Sequence, residues 1–236
     1  MFVMAYLDPE IYPCWKDSLR DGYIDPEFAA TVGKTLAELH AQTANRHDLA
    51  EEFSNDSMFT ALRIEPYFRA TAAAHPDLAK RLGALAEATL AVKRSLMHGD
   101  VSPKNILQGP DGPVFLDSEC ACFGDPVFDL AFCLNHLLLK SVWRRQWRDR
   151  YLQCFDALST AYLSRVDWEN PVDLEARAAG LLPALLLARI DGKSPVEYIN
   201  EEDDKAQIRR IALELLAEPA GALPVIRDAW RADDYP

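Results

Sequence analysis

Met97-His98-Gly99-Asp100-Val101-Ser102-Pro103-Lys104-Asn105-Ile106-Leu107, with Phe115-Leu116-Asp117-Ser118-Glu119 a short way downstream, decides how this chain is read. His98 and Asp100 fall on a loop that leads into a short apolar run, Asn105 to Gln108. Pro113 to Asp117 is a second such run, and Gly109-Pro110-Asp111-Gly112 between them is a strong hairpin signal. A hairpin brings its flanks together. Asn105 at the start of one strand and Asp117 at the end of the other are therefore expected to be neighbours, with Asp100 one short loop away. Amide and carboxylate oxygens are hard donors. Two of them beside a further carboxylate suit a magnesium–phosphate site, because magnesium keeps waters and shares its ligands with phosphates.

Outward from this hairpin the sequence reads as helix. Asp25-Pro26-Glu27 has the form of a helix start, with Asp as cap and Pro at the first helical position. Phe28, Val32, Leu36 and Leu39 then recur at three- and four-residue steps, which predicts a helix to about Thr43. Further helices are expected over Ser57 to Phe68, weakened near Pro66, and over Asp77 to about Ser95. Beyond Asp125-Pro126 the helical stretches are Phe128 to Leu139, Trp143 to Leu163, Leu174 to Ala188 and Lys205 to Leu216. The tail, 217–236, carries three prolines and several acids and reads as partly ordered. The fold class is α+β, mostly α-helical, around one hairpin.

Composition narrows the function. With 49% hydrophobic and 26% charged residues in 236, the chain is an ordinary globular protein. Its 37 acidic against 25 basic residues, net charge −12, offer no basic footprint for nucleic acid or anionic lipid. No apolar run reaches the roughly 20 residues a bilayer span needs, so no membrane partner is expected. Five scattered cysteines read as reduced thiols in a cytoplasmic protein. Cys120-x-Cys122 has no second pair to complete a zinc site and reads as core or loop thiols. Trp143, Trp147 and Tyr151, at four-residue steps, read as core.

The stretch around Asp100 resembles the aminoglycoside phosphotransferase and choline kinase family, which shares the protein-kinase-like fold. His98-x-Asp100, four residues, Asn105 is similar to that fold's catalytic loop, and Gly99 to the glycine that small-molecule kinases carry there. Asp117 corresponds to the metal-binding Asp, and Asp117-x-Glu119 is similar to the methylthioribose kinase branch, where both acids reach metal. Gly124-Asp125-Pro126-Val127-Phe128-Asp129-Leu130-Ala131 resembles a segment whose second Asp, here Asp129, braces the catalytic loop. Leu36-Ala37-x-Leu39-His40 and Ala188-Arg189-Ile190-Asp191 also have family counterparts. Ser102 departs from the pattern, since the group carries His or Lys there; Lys104 lies two positions on.

The resemblance implies an ATP-dependent phosphotransferase acting on a hydroxyl of a small molecule, with Mg²⁺ and ATP as cofactors. Asp100 would be catalytic, Asn105, Asp117 and Glu119 would hold the metal, and His98 and Asp129 would give structural support. Met1 to Leu7 reads as the last strand of the fold's N-terminal lobe (1–8), with Met4, Ala5 and Tyr6 at the adenine, ahead of a helical C-terminal lobe over 9–216. The rest of that lobe is expected to be missing, which points to a truncated enzyme, to a partner that supplies the lobe, or to self-association. A non-catalytic, kinase-derived binding module is the alternative. The net negative charge favours a cationic acceptor such as an amino sugar or amino alcohol.

Overall fold

A computed structural model describes residues 6–232. Helices α1 (Trp15–Arg20), α2 (Pro26–Thr43) and α3 (His47–Glu52) come first. α4 (Asp56–Phe59) runs through a π-helical stretch, Thr60–Arg69, into α5 (Ala70–Ala74), and α6 (Ala79–Ala91) follows. Four short strands come next: β1 (Ser95–Met97), β2 (Ile106–Gly109), β3 (Gly112–Phe115) and β4 (Cys122–Gly124). The remainder is helical, with α7 (Val127–Trp143), α8 (Arg148–Leu163), α9 (Pro171–Asp191), α10 (Glu202–Ala217) and α11 (Leu223–Ala232).

The helix start at Asp25 has the expected form. Its carboxylate accepts the Glu27 N–H at 2.9 Å, and Pro26 occupies the first turn, where its missing N–H costs nothing. α2 buries Val32, Leu36, Ala37 and His40 and packs chiefly on α8. The two backbones nearly touch: a Cβ on Gly33 would lie 2.3 Å from the Leu158 carbonyl oxygen. α7 is buried on every side from Val127 to Val142 and forms the axis of the core, between α8 and α9. A helix apolar all round needs such a position.

β2 and β3 pair antiparallel, with Ile106 opposite Phe115 and Gly109 opposite Gly112, so the hairpin stands where the sequence put it. Cys14 adds a bridge to Leu107 on the free edge, and the Gln108 N–H donates to the Pro13 carbonyl at 2.9 Å. Tyr6, from the segment expected to meet adenine, is 83% exposed and in no strand, while Met4 and Ala5 lie outside the described residues.

Two helix bounds are corrected. The helix expected to reach Ser95 ends at Ala91, and Ser95 begins β1, which pairs with β4 through Leu96 opposite Phe123. The helix expected over Ser57 to Phe68 runs on to Ala74, with Pro66, which has no N–H to donate, inside the π-helical stretch. The tail contains α11, with Leu223, Ile226 and Trp230 buried; the Trp230 indole donates to Ser141 Oγ at 3.0 Å.

Candidate active site

The His98–Asn105 loop leaves β1 and is fixed from below by one carboxylate. Asp129, fully buried on the first turn of α7, accepts the His98 N–H at 2.7 Å and the Gly99 N–H at 2.8 Å, one on each oxygen. Behind it, His40 Nε2 lies 3.3 Å from Asp129, and His40 Nδ1 lies 2.7 Å from the Tyr162 hydroxyl. Burial, with Asp129 nearby, holds the Tyr162 hydroxyl well above its usual range. α2, α7 and α8 thus reach the loop through one sealed chain of polar groups. Gly99 has φ +78°, and a Cβ there would meet Cys120 at 2.8 Å, so only glycine fits.

His98 spends both ring nitrogens on structure. Nδ1 faces the Asp100 N–H at 3.2 Å and must accept, so Nε2 carries the proton and donates to the Leu116 carbonyl at 3.0 Å. The ring ties the loop to the end of β3.

Asp100 is 6% exposed; its Oδ2 accepts from Asn105 Nδ2 at 2.8 Å and forms ion pairs with Arg63 and Lys104 at 3.2 Å each. Oδ1 has no protein partner among the described residues. Arg63, from the π-helical stretch, also donates to the Gly99 carbonyl at 2.6 Å. Sequence reasoning missed this residue. A single arginine in a helix, 36 positions before the carbonyl it binds, carries no local signal.

Asn105 ends a short turn, Pro103–Asn105, and directs its Nδ2 to both the backbone and the side chain of Asp100. Its amide oxygen is left unbonded among the described residues. The Leu116 N–H donates to the Asn105 carbonyl at 2.8 Å, and Asp117 follows at once with φ +65°. Asp and Asn tolerate that conformation better than most residues. Asp117 and Glu119 are exposed, and neither meets a cation or donor among the described residues. Asn105 thus touches Asp100 through its side chain and Leu116, the residue before Asp117, through its backbone, while Glu119 lies farther along the exposed loop. A free amide oxygen and an unpaired carboxylate fit a magnesium ion's preference for hard oxygens.

Ser102 is fully buried and its hydroxyl is unbonded, so it does not extend toward the mouth as a His or Lys would. Cys120 and Cys122 are buried thiols; burial pushes Cys122 up to about 12. Among the described residues no group of three or more His, Cys, Asp or Glu side chains is placed to hold a metal ion, and no helix is long and apolar enough to cross a membrane.

Asp100 also lines a cavity of about 270 Å³ between α7, the π-helical stretch and the segment after α9. Lys104, Lys140, Arg189 and Tyr198 are among its other walls. Burial lowers the Lys140 ammonium to about 8.

The sequence model of the phosphotransferase enzyme family matches residues 2–169, a span that holds the loop, the hairpin and the Asp129 brace. A comparison with curated proteins finds no match.

Proposed function

Because the chain belongs to the phosphotransferase enzyme family, we propose that it is an ATP-dependent kinase that transfers a phosphoryl group to a hydroxyl of a small molecule. The observation that carries this reading is the asymmetry of Asp100. Asn105, Arg63 and Lys104 all engage Oδ2, while Oδ1 has no hydrogen-bond partner among the described residues, and Asp100 is a wall of the cavity. A hydroxyl in that cavity would donate to Oδ1 and be oriented by it. Transfer of this kind has a loose transition state, so the carboxylate is needed for aim first and takes the proton late.

Asn105 and Asp117 are the residues that would hold Mg²⁺, with Glu119 as a further acid at the same rim. When bound, the ion would neutralise phosphate charge and position the phosphoryl group. Asn105 serves both sides of the site: its Nδ2 fixes Asp100 while its oxygen remains for the metal. Lys104, at the mouth and half exposed, is placed to meet negative charge entering beside Asp100.

The test is a calorimetric titration with Mg-ADP and Mg-ATP. Wild-type protein should bind, and Asp117→Ala should lose affinity by at least about tenfold, as expected for a charged ligand contact. Binding that survives this substitution unchanged would remove the assignment.

A further inference from the structure

We propose that the acceptor bears a carboxylate or phosphate group besides its hydroxyl, and that Lys140 and Arg189 hold that anion in the cavity beside Asp100. The hydroxyl's role rests on the phosphotransferase reading; the anion site stands on its own residues.

The protein is acidic overall, yet this cavity is not. Five cationic side chains and two carboxylates line it. Both carboxylates are already matched, Asp100 by Arg63 and Lys104, and Glu197 by Lys16. What remains is positive. Lys140 is 1% exposed, and its ammonium has no hydrogen-bond partner. It lies 4.5 Å from the Tyr198 ring centre and 5.2 Å from that of Trp143, contacts that offset only part of the cost of burying a charge. Arg189, also buried, meets only neutral oxygens: the Tyr67 hydroxyl at 2.9 Å and the Ser194 carbonyl at 2.6 Å. Its Nε is buried without a partner. His136 adds no charge, because burial holds its ring well below the usual imidazole value.

Two buried cations, neither in a salt bridge with a carboxylate among the described residues, stand in the wall of a cavity and are the complement of a bound anion. An amino sugar would find no unpaired carboxylate here, so the lining does not favour the cationic acceptor expected from net charge. The cavity volume, about 270 Å³, is at the small end for ligand pockets and suits a short acceptor. Arg189 and Tyr198 lie beyond residue 169, outside the span the family model matches.

The test uses the whole chain. Glycerate, glycerol 3-phosphate, glycerol and ethanolamine are titrated by calorimetry into wild type and Lys140→Met, which keeps length and removes charge. Glycerate or glycerol 3-phosphate should bind wild type, and whichever is tighter identifies the anion. Lys140→Met should weaken that binding about ten- to a hundredfold. Arg189→Gln is the second variant and should weaken it in the same direction. The proposal is overturned if glycerol or ethanolamine binds as tightly as the anions, or if Lys140→Met leaves anion binding unchanged. It is equally overturned if neither anion binds at about 10 mM, enough to fill a site of roughly millimolar affinity. ADP release from Mg-ATP is read in parallel. Anion binding without ADP release upholds the anion site and sinks the kinase reading. ADP release on ethanolamine without anion binding does the reverse.

Discussion

Asp100 and His98 are two residues apart and do different work. If Asp100 orients the acceptor hydroxyl as proposed, Asp100→Asn removes that acceptor and should lower kcat by about 10²–10⁴. His98→Gln breaks two loop bonds and should show first as a lower Tm, with the smaller loss in rate. ADP release and thermal melting on the two variants separate the roles; a larger rate loss at His98 would reverse them. These residues were legible because their chemistry is local, three side chains within eight positions. Lys140 was not. It ends a leucine-rich run and reads as an ordinary last-turn lysine favoured by the helix dipole. Only packing shows that Trp143 and Tyr198, the latter in the segment after α9, close over it.

Among the elements, the π-helical stretch bears most directly on the loop. Arg63 donates to the Gly99 carbonyl and pairs with Asp100, so Arg63→Met would leave a buried carbonyl unbonded and loosen both. A stability loss of about 1–3 kcal/mol is expected, with a fall in kcat larger than any rise in KM. Urea unfolding and steady-state rates would show it, and unchanged values in both would disprove the tie. The hairpin was readable from Gly109-Pro110-Asp111-Gly112, since turn chemistry is written in adjacent residues. β1 and β4 were not, because three residues give too little alternation to separate strand from helix end. α11 was hidden for a related reason. Leu223, Ile226 and Trp230 have helical spacing, but Pro224 and Asp228 lie among them in a window of ten residues.

At the scale of the molecule, α11 closes the base of the helical body. Trp230 is fully buried, and Arg148 of α8 donates to its carbonyl. Trp230→Ala should cost about 3–5 kcal/mol, as large aromatic truncations in a core do, and deletion of 223–236 should show a comparable drop in the unfolding midpoint. Asp191 joins α9 to α10 through Arg209 and to the end of α5 through His75, each at 2.8 Å. Burial raises its pKa, but the bonds from Arg209 and His75 outweigh that, and the net shift is below the usual 3.8. A carboxyl depressed on folding lends stability above its unfolded value and loses it as pH falls through the folded one. Wild type should therefore exceed Asp191→Asn in urea midpoint at about pH 6, with the gap closing as the pH is taken below the usual carboxylate range. A constant gap would contradict the linkage. The stretch Thr60–Arg69 has one further consequence. Its hydrogen bonds reach one residue farther than those of an α-helix, so its phase is set by residue count. Dropping or adding a residue ahead of Arg63 within the stretch turns the helix by roughly a quarter turn and swings that guanidinium away from the loop, whereas substituting a neighbour leaves its phase alone. Here the hold on the His98–Asn105 loop is tuned by length, in whole-residue steps.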